Sequence, residues 1–150
     1  MTEPPRSPEV RKDHVLKRLD EDVDAWVSTA SADGTPYLMP LSFLWDGQTL
    51  LFSTAASNPT SLNLQSTGRA HVALDHTRDV ILITATSETL RAEELAPGVA
   101  EAFAAKTGFD PRDAKALYLY FRLTPDTVQS WREANELPGR TLMRDNTWLV

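Results

Sequence analysis

The chain has 150 residues, of which 41% are hydrophobic and 24% are charged, and it contains no cysteine. This composition is typical of a single globular domain, which we expect to span 1–150. The lack of cysteine excludes disulfide bonds, thiolate metal sites and a cysteine nucleophile. A net charge of −6 without a basic block argues against a nucleic-acid partner. The polar N-terminus and the absence of an apolar run near the ~20 residues that span a bilayer predict a cytoplasmic protein without a membrane partner.

The N-terminal region is predicted to be a flexible arm, residues 1–6, followed by a helix. Ser7 can cap the helix, Pro8 suits its first position, and Glu9 places an acid in the first turn. The helix is expected to end near Asp20. Its apolar stripe is predicted to be buried and consists of Val10, Val15, Leu16 and Leu19.

Alternating apolar residues predict six strands separated by turns or short helices. The strands are expected at 25–31, 37–45, 49–54, 70–75, 80–90 and 117–123. Thr124-Pro125-Asp126 is expected to break or bend the last strand before 128–132. Pro40 lacks a backbone N–H in mid-strand, which predicts either a bulge or an edge position there.

Strand pairs this close in sequence exclude a doubly wound parallel sheet. They favour a mainly β (α+β) domain, a six-stranded antiparallel split β-barrel with a few short helices.

The sequence pattern of residues 49–75 predicts a strand, a polar turn, a short helix and a second strand. Ser57 or Asn58 can cap that helix, and Pro59 suits its first turn. Hydroxyls and amides at a helix N-terminus can bind a phosphate or another anion. The alternative is an ordinary connection between two strands of a barrel.

No self-contained catalytic motif is present. The sequence has no G-x-G-x-x-G turn, Walker loop or G-x-S-x-G elbow, and His14, His71 and His76 lack metal-site spacing. No catalytic side chain and no metal ligand are therefore assigned. This pattern favours either a binding module or an enzyme whose cofactor carries the chemistry.

Three features together resemble a known family. They are the hairpin PYLMPLSFLWDGQTLLFSTAASNPTSLNLQSTGRAHVAL, the TRDV turn, and the C-terminal pattern W-x₈-R-x₃-R formed by Trp131, Arg140 and Arg144. From about Leu16 onward the chain resembles the pyridoxamine 5′-phosphate oxidase-like, FMN-binding split-barrel proteins. The resemblance implies a homodimer with two sites at its interface, each built from both chains, with the segment 125–150 packing at that interface.

The resemblance also implies positions for the cofactor. Residues facing the flavin ring would be Met39, Pro40, Leu41 and Ser42, continued by Ser53 and Thr54. Residues at the phosphate end would be Ser57, Asn58, Pro59 and Thr60. Many family members have Ser-Arg-Lys there, and both basic residues are replaced in this chain. There are three alternatives: Thr60, Asn63, Arg69 or Arg78 compensates together with helix amides, the cofactor is the deazaflavin F420 instead of FMN, or the chain binds its cofactor weakly.

The C-terminal match implies contacts from the neighbouring subunit. Trp131 would pack over the cofactor, Arg144 would bind it, and Arg140 would bind the substrate. Leu142 stands where true pyridoxamine-phosphate oxidases have a histidine, which implies a different, more apolar substrate. The alternatives are interface packing for Trp131 and surface ion pairing for the two arginines.

Together these features predict an FMN- or F420-dependent oxidoreductase that transfers a hydride to or from a small conjugated or heteroaromatic substrate. The first alternative is a non-catalytic protein of the same fold that binds or senses flavin or haem. The second is a structural dimer without a ligand.

Overall fold

The computed structural model describes residues 3–150. Its helices are α1 (Pro8–Glu21), α2 (Pro59–Thr67) and α3 (Val99–Thr107). Its strands are β1 (Asp24–Ala30), β2 (Pro36–Trp45), β3 (Leu50–Ala55), β4 (Arg69–Leu74), β5 (Val80–Leu90), β6 (Tyr118–Trp131), β7 (Thr141–Arg144) and β8 (Thr147–Trp148). No helix within this range is long and apolar enough to cross a membrane.

Six antiparallel strands close into a barrel. The order along the sheet is β3-β2-β1-β4-β5-β6, and pairing of β3 with β6 closes the circle. The short strands β7 and β8 extend the sheet from β6 as a hairpin. The predicted fold class is confirmed, and the C-terminal hairpin adds two strands to the six that were expected.

The inner faces of the strands form the core, because alternate side chains of each strand point into the barrel. Phe43 and Phe52 pack with ring centroids 5.7 Å apart, and Phe121 and Ile83 are fully buried with them. A smaller cluster lies outside the barrel, where α3 packs Phe103 against Leu51, Leu90 and Tyr120. Helix α3 therefore covers part of the outer surface beside β3 and β6.

The predicted break at Thr124-Pro125-Asp126 is a bulge within one continuous strand. Ala85 pairs with Pro125 and Thr84 pairs with Thr127, so Asp126 is an extra residue in β6. The strand bends but does not end, since it keeps pairing with β5 on both sides of the bulge.

The predicted buried stripe of α1 is partly wrong. Val15 and Leu19 are buried and Leu16 is half-buried, but Val10 is 41% exposed and Arg11 is buried instead. The Arg11 guanidinium donates from Nη1 to the carbonyls of Glu136 and Gly139, at 2.9 and 3.2 Å. These bonds satisfy its buried charge, so α1 docks on the C-terminal segment through a polar contact.

Within the predicted arm 1–6, Arg6 contacts the C-terminal segment; residues 1 and 2 lie outside the described range. Arg6 donates from Nη2 to Oε1 of Glu136 at 2.8 Å. Its hydrogen bonds, followed by those from backbone N–H groups, hold the pKa of the Glu136 carboxyl at about 2 despite burial. An ion pair therefore connects this part of the arm with the C-terminal segment.

Candidate functional site

Strands β2 and β3 pair over only three residues each. Phe43, Leu44 and Trp45 pair with Phe52, Leu51 and Leu50, and beyond Phe43 the two strands separate. The preceding part of β2 keeps β1 as its neighbour, and the end of β3 keeps β6. The barrel is therefore split along one seam, which we call the β2–β3 opening.

The backbone of β2 directs polar groups into the β2–β3 opening. The Phe43 N–H donates to the Val23 carbonyl on the β1 side at 2.9 Å. Backbone groups alternate in direction along an antiparallel pair, so those of Pro40 and Ser42 point away from β1. Pro40 is thus at an edge position, and its missing N–H costs no bond to β1. Trp26 pairs with Pro40 without a register shift, so the alternative of a bulge is excluded.

The β2–β3 opening contains a cavity of about 480 Å³. Seven residues with a predicted cofactor contact line it: Met39, Pro40, Leu41, Ser42, Ser53, Thr54 and Asn58. Five further residues complete the lining: Asp24, Phe103, Thr107, Phe109 and Tyr118. The seam thus brings two distant sequence segments and the end of α3 around one space. A volume of this size is typical of small-molecule and cofactor sites.

Helix α2 starts beside this cavity. Asn58 is its N-cap residue, but the Asn58 side chain donates to Thr54 Oγ1 at 2.9 Å and does not cap the helix. The Thr60 hydroxyl is buried and has no hydrogen-bond partner within residues 3–150. The helix has no acidic residue in its first turn. The N-terminal amides of α2 are donors that suit an anionic group, and Asn58 brings the start of the helix to the cavity. Thr60 itself is 1% exposed and is not among the residues that line the cavity.

The cavity carries little charge of its own. Asp24 is the one charged side chain among its described lining residues, and its Oδ1 accepts a hydrogen bond from Ser42 Oγ at 2.5 Å. No lysine, arginine or histidine of the described chain lines it. No group of three metal-binding side chains occurs within residues 3–150 either. The walls can therefore position a ring by packing and hydrogen bonds, but they bring no cation and no evident acid–base pair.

Several predicted site residues lie elsewhere. Ser57, just before α2, and Pro59, its first residue, are exposed. Asn63 is buried, and its Nδ2 donates to Thr29 Oγ1 at 3.1 Å. Arg69 lines a separate surface cavity that includes His71. Arg78 follows β4, at the opposite end of that strand from α2, where it pairs with Glu133 at 3.3 Å. Neither Arg69 nor Arg78 reaches the β2–β3 opening within one chain.

The C-terminal candidates are also remote from the β2–β3 opening of their own chain. Trp131 is half-buried at the end of β6, opposite Val80. Arg140 and Arg144 are exposed, and neither forms an ion pair with any residue in the range 3–150. Leu142 has no exposed surface and packs in the barrel core, so its side chain has no area to offer a substrate in this chain.

Sequence reasoning did not single out the five other lining residues. The helical periodicity of its segment predicts a core position for Phe103, not a position in a site. Tyr118 starts a strand, and nothing in the local pattern shows that it faces a seam. Asp24 and Phe109 reach the cavity only because β1 and the end of α3 pack beside it, which depends on contacts distant in sequence.

Comparisons with known proteins agree with this architecture. A family profile described as Pyridoxamine 5′-phosphate oxidase matches residues 12–132. No curated protein sequence matches the chain. Among solved structures, an F420 reductase is 16% identical with a TM-score of 0.62, covering 75% of this chain and 93% of that one.

Two further structures are similar in fold. A putative pyridoxamine 5′-phosphate oxidase from Listeria innocua is 16% identical with a TM-score of 0.65, covering 81% of this chain and 98% of its own. HutZ, the heme storage protein from Vibrio cholerae, is 14% identical with a TM-score of 0.63, covering 77% of this chain and 89% of its own. At these identities the similarity establishes the fold alone.

Proposed function

The chain belongs to the pyridoxamine 5′-phosphate oxidase family, and we propose that it is a flavin- or deazaflavin-dependent oxidoreductase. The observation that carries this proposal is the β2–β3 opening, where seven predicted cofactor contacts surround one cavity. FMN is the first candidate cofactor and F420 is the alternative. A bound cofactor of either kind would supply the hydride chemistry, and the substrate would be a small conjugated or heteroaromatic molecule.

The lining of the β2–β3 opening fits a flat ring with polar edges. Met39 and Leu41 from β2, and Phe103 and Phe109 from α3 and the residues after it, provide apolar contacts. The backbone groups of Pro40 and Ser42 point into the seam, where they need a partner other than β1. A heteroaromatic ring with hydrogen-bonding groups along its edge satisfies them and also covers the apolar walls. These residues would orient the ring and exclude water from one of its faces.

The phosphate end fits less completely within one chain. The amides at the start of α2 and the Thr60 hydroxyl can donate to a phosphate, but no cation among the described residues lines the cavity. Arg140 and Arg144 are exposed and form no ion pair within residues 3–150, so both are free to contact another molecule. We therefore propose that a second copy of the chain completes the site with Trp131, Arg140 and Arg144.

The outer surface of the sheet supports a homodimer. Trp26 is 41% exposed and Leu38 is 56% exposed. Trp26 lies opposite Pro40 on the neighbouring strand, and Leu38 is two residues from Pro40, so the three share one face. An apolar patch on a sheet face is typical of a protein–protein contact. A second copy of this chain is the occupant that would also bring the missing cations to the β2–β3 opening.

The phosphate contact can be tested at Thr60 with a pair of cofactors. Thr60→Val keeps the side-chain shape and removes the buried hydroxyl. We expect it to weaken FMN binding by about tenfold, since a hydrogen bond to a charged group is lost. Riboflavin has the same ring without phosphate, so its affinity should not change. Titration by flavin fluorescence measures both. Equal affinity of wild type and Thr60→Val for FMN would remove Thr60 from the site.

A second candidate function is passive binding of flavin or haem. It is favoured by the absence of an acid–base pair from the described walls of the cavity and by the fold shared with HutZ. No histidine of the described chain lines the β2–β3 opening, so a haem there would lack the usual axial ligand from this chain. Reduction and reoxidation of the bound cofactor with candidate acceptors separates the functions. Sustained turnover that depends on the acceptor excludes passive binding. A haem absorption change that saturates with haem concentration, without any binding of flavin, favours it.

A further inference from the structure

The loop between β6 and β7, residues 131–140, carries two of the three residues proposed to complete the site of a partner subunit. Trp131 is the last residue of β6, and Arg140 directly precedes β7. The Ser130 N–H donates to the Arg140 carbonyl at 2.9 Å, which brings the two ends of the loop together. Trp131 and Arg140 therefore lie close to each other at the base of this β6–β7 loop.

The Arg11 guanidinium of α1 binds the backbone at both ends of the β6–β7 loop. Its Nη1 donates to the carbonyls of Ser130 and Gly139, at 3.4 and 3.2 Å. Ser130 immediately precedes Trp131, and Gly139 immediately precedes Arg140. One side chain thus holds the backbone at the residue before each of the two.

Glu136 holds the middle of the β6–β7 loop. Its carboxylate is 3% exposed and accepts a hydrogen bond from the Arg132 N–H at 2.7 Å, so the residue after Trp131 is also held. The Glu136 backbone carbonyl accepts from Arg11 Nη1 at 2.9 Å, and Arg6 donates from Nη2 to Oε1 at 2.8 Å. The loop is therefore closed against α1 around one buried carboxylate.

The β6–β7 loop also sets the direction of the Arg140 side chain. Its Nη1 donates to the Leu137 carbonyl at 3.0 Å, and the Arg140 N–H donates to the same carbonyl at 3.3 Å. Gly139 has a φ angle of 71°, a left-handed conformation that glycine adopts readily and that turns the chain into Arg140. Leu137 directly follows Glu136, so a shift of Glu136 also moves the carbonyl that holds the guanidinium.

Stability alone does not account for a buried arginine in α1. Arg11 is 4% exposed, and burying a guanidinium is costly unless it is fully paired. A well-packed apolar side chain of similar volume is often at least as stabilising at such a position. An apolar side chain has no donors for the Ser130, Glu136 and Gly139 carbonyls, however. The arginine therefore specifies the conformation of the β6–β7 loop in addition to attaching it to α1.

We propose that Arg11 and Glu136 are positioning residues for the site of the partner subunit. They hold the β6–β7 loop so that Trp131 and Arg140 of one chain reach the β2–β3 opening of the other in a fixed orientation. Neither Arg11 nor Glu136 is among the described lining residues of the opening. The proposal rests on the shared site proposed above, and its effect is on the partner's site, not on the opening of the same chain.

Mixed dimers separate this positioning role from an effect within one chain. Ser42→Trp is expected to fill the β2–β3 opening of the chain that carries it. The double variant Arg11→Met, Ser42→Trp is added in large excess to the wild-type chain, and the subunits are allowed to exchange. Nearly every wild-type opening then faces a loop without Arg11. Fluorescence titration with FMN or F420, whichever binds the wild type, should show about tenfold weaker binding than in the wild-type dimer, as for the loss of one hydrogen bond to a charged group.

Two further mixtures are the controls. An excess of Ser42→Trp alone, or of the double variant Lys12→Gln, Ser42→Trp, should leave the affinity of the wild-type openings unchanged. Lys12 is the neighbour of Arg11 on α1 and also contacts the C-terminal segment. Its hydrogen bond goes to the Val150 carbonyl at 2.9 Å, outside the β6–β7 loop.

A second variant serves if Arg11→Met does not fold. Arg11→Lys keeps a positive charge beside Glu136, but its ammonium lacks the planar fork of donors that a guanidinium has. The same loss of affinity at the wild-type openings is expected when Arg11→Lys replaces Arg11→Met in the mixture.

Hydrogen exchange of the cofactor-free chain gives a second readout. Backbone N–H groups of the β6–β7 loop should exchange about tenfold faster in Arg11→Met than in the wild type, and at the wild-type rate in Lys12→Gln. The proposal is overturned if exchange in this loop is unchanged, or if the wild-type openings keep their affinity beside the Arg11→Met, Ser42→Trp chain. A wild-type chain that binds neither FMN nor F420 contradicts the oxidoreductase function and this role together. Cofactor binding without the effect on the partner's site contradicts the positioning role alone.

Discussion

Glu136 shows at the scale of single residues how this chain holds its two ends together. Its carboxylate is 3% exposed and accepts four hydrogen bonds, three from Arg6 and one from the Arg132 backbone N–H. Arg11 also lies close, at 3.8 Å from Oε2. The N-terminal arm, α1 and the C-terminal segment therefore meet at one buried charge. Removing such a charge leaves buried arginines without their partner, which is costly.

We predict that Glu136→Gln lowers the free energy of unfolding at pH 7 by about 3 kcal/mol. The pKa of Glu136 is about 2 in the folded chain, below its ordinary 4.5. The contribution of Glu136 to the free energy of unfolding is therefore complete at pH values above its pKa in the unfolded chain. That contribution is lost as the pH falls toward 2. Urea unfolding at several pH values should show this loss in the wild type and not in Glu136→Gln. As a control, Glu133→Gln breaks an exposed pair with Arg78 and should cost at most about 0.5 kcal/mol. Equal pH dependence in wild type and Glu136→Gln would contradict this account.

Arg11 and Glu136 also show what sequence periodicity cannot predict. The spacing of Val10, Val15, Leu16 and Leu19 indicated the correct helix, but Val10 is exposed and Leu16 is only half-buried. Arg11 is buried because carbonyls more than a hundred positions away accept its hydrogen bonds. No local pattern contains that information. By contrast, the edge position of Pro40 was predictable as one of two options, because the missing N–H is a property of the residue itself.

At the scale of elements, the bulge in β6 and the β7–β8 hairpin form one unit. The Asn146 backbone N–H donates to the Asp126 carbonyl at 2.9 Å, and its side-chain Nδ2 donates to the Pro125 carbonyl at 2.7 Å. Asp145 and Asn146 have φ angles of 52° and 60°, as the tight turn between β7 and β8 requires. The bulge exposes carbonyls, and the turn supplies the donors.

We predict that Asn146→Ala lowers the free energy of unfolding by about 2 kcal/mol, since it loses the bond to Pro125 and disfavours the positive φ. Asn146→Gly keeps the backbone freedom and loses only the side-chain bond, so it should cost about half as much. Denaturant unfolding compares the three chains. If Asn146→Gly is as destabilising as Asn146→Ala, the backbone conformation is not part of the cost.

The sequence predicted the long strands of the sheet but not the short ones at its C-terminal end. Alternating apolar residues predicted six strands separated by turns or short helices. Thr124-Pro125-Asp126 gave the signal of a break, and the strand continues because β5 pairs on both sides of the extra residue. The hairpin of β7 and β8 was not predicted, since strands of four and two residues carry almost no periodicity.

At the scale of the whole molecule, the site predicted from the sequence divides into two groups. One group meets in the β2–β3 opening of a single chain, and the other, with Trp131, Arg140 and Arg144, lies on a remote part of the surface. Local pattern and family resemblance placed the first group on adjoining strands. The second group is connected to the site only if two chains associate, which no pattern within one sequence determines.

Mixed dimers test the proposal that two chains build each site. The double variant Arg140→Ala, Arg144→Ala should remove the arginines that a chain contributes to its partner's site. The variant Ser42→Trp should fill the β2–β3 opening of the chain that carries it. Each variant alone is expected to bind no cofactor. In an equimolar mixture that exchanges subunits, half the dimers are mixed and each has one intact site, so about a quarter of the binding capacity should return. Fluorescence titration of the mixture measures this recovery, and light scattering verifies the dimer. No recovery from a mixture shown to exchange subunits would contradict a shared site.

The most direct test of the central claim is a titration of the wild-type chain with FMN and, separately, with F420. Melting temperature and ligand fluorescence are followed together, because a ligand that binds only the folded state raises the melting temperature with its concentration. We predict saturable stabilisation by one of the two cofactors. The contrary result is that neither cofactor raises the melting temperature and that the fluorescence of neither cofactor changes when the protein is present. In that case the β2–β3 opening is not a flavin or deazaflavin site, and the proposed oxidoreductase function is wrong.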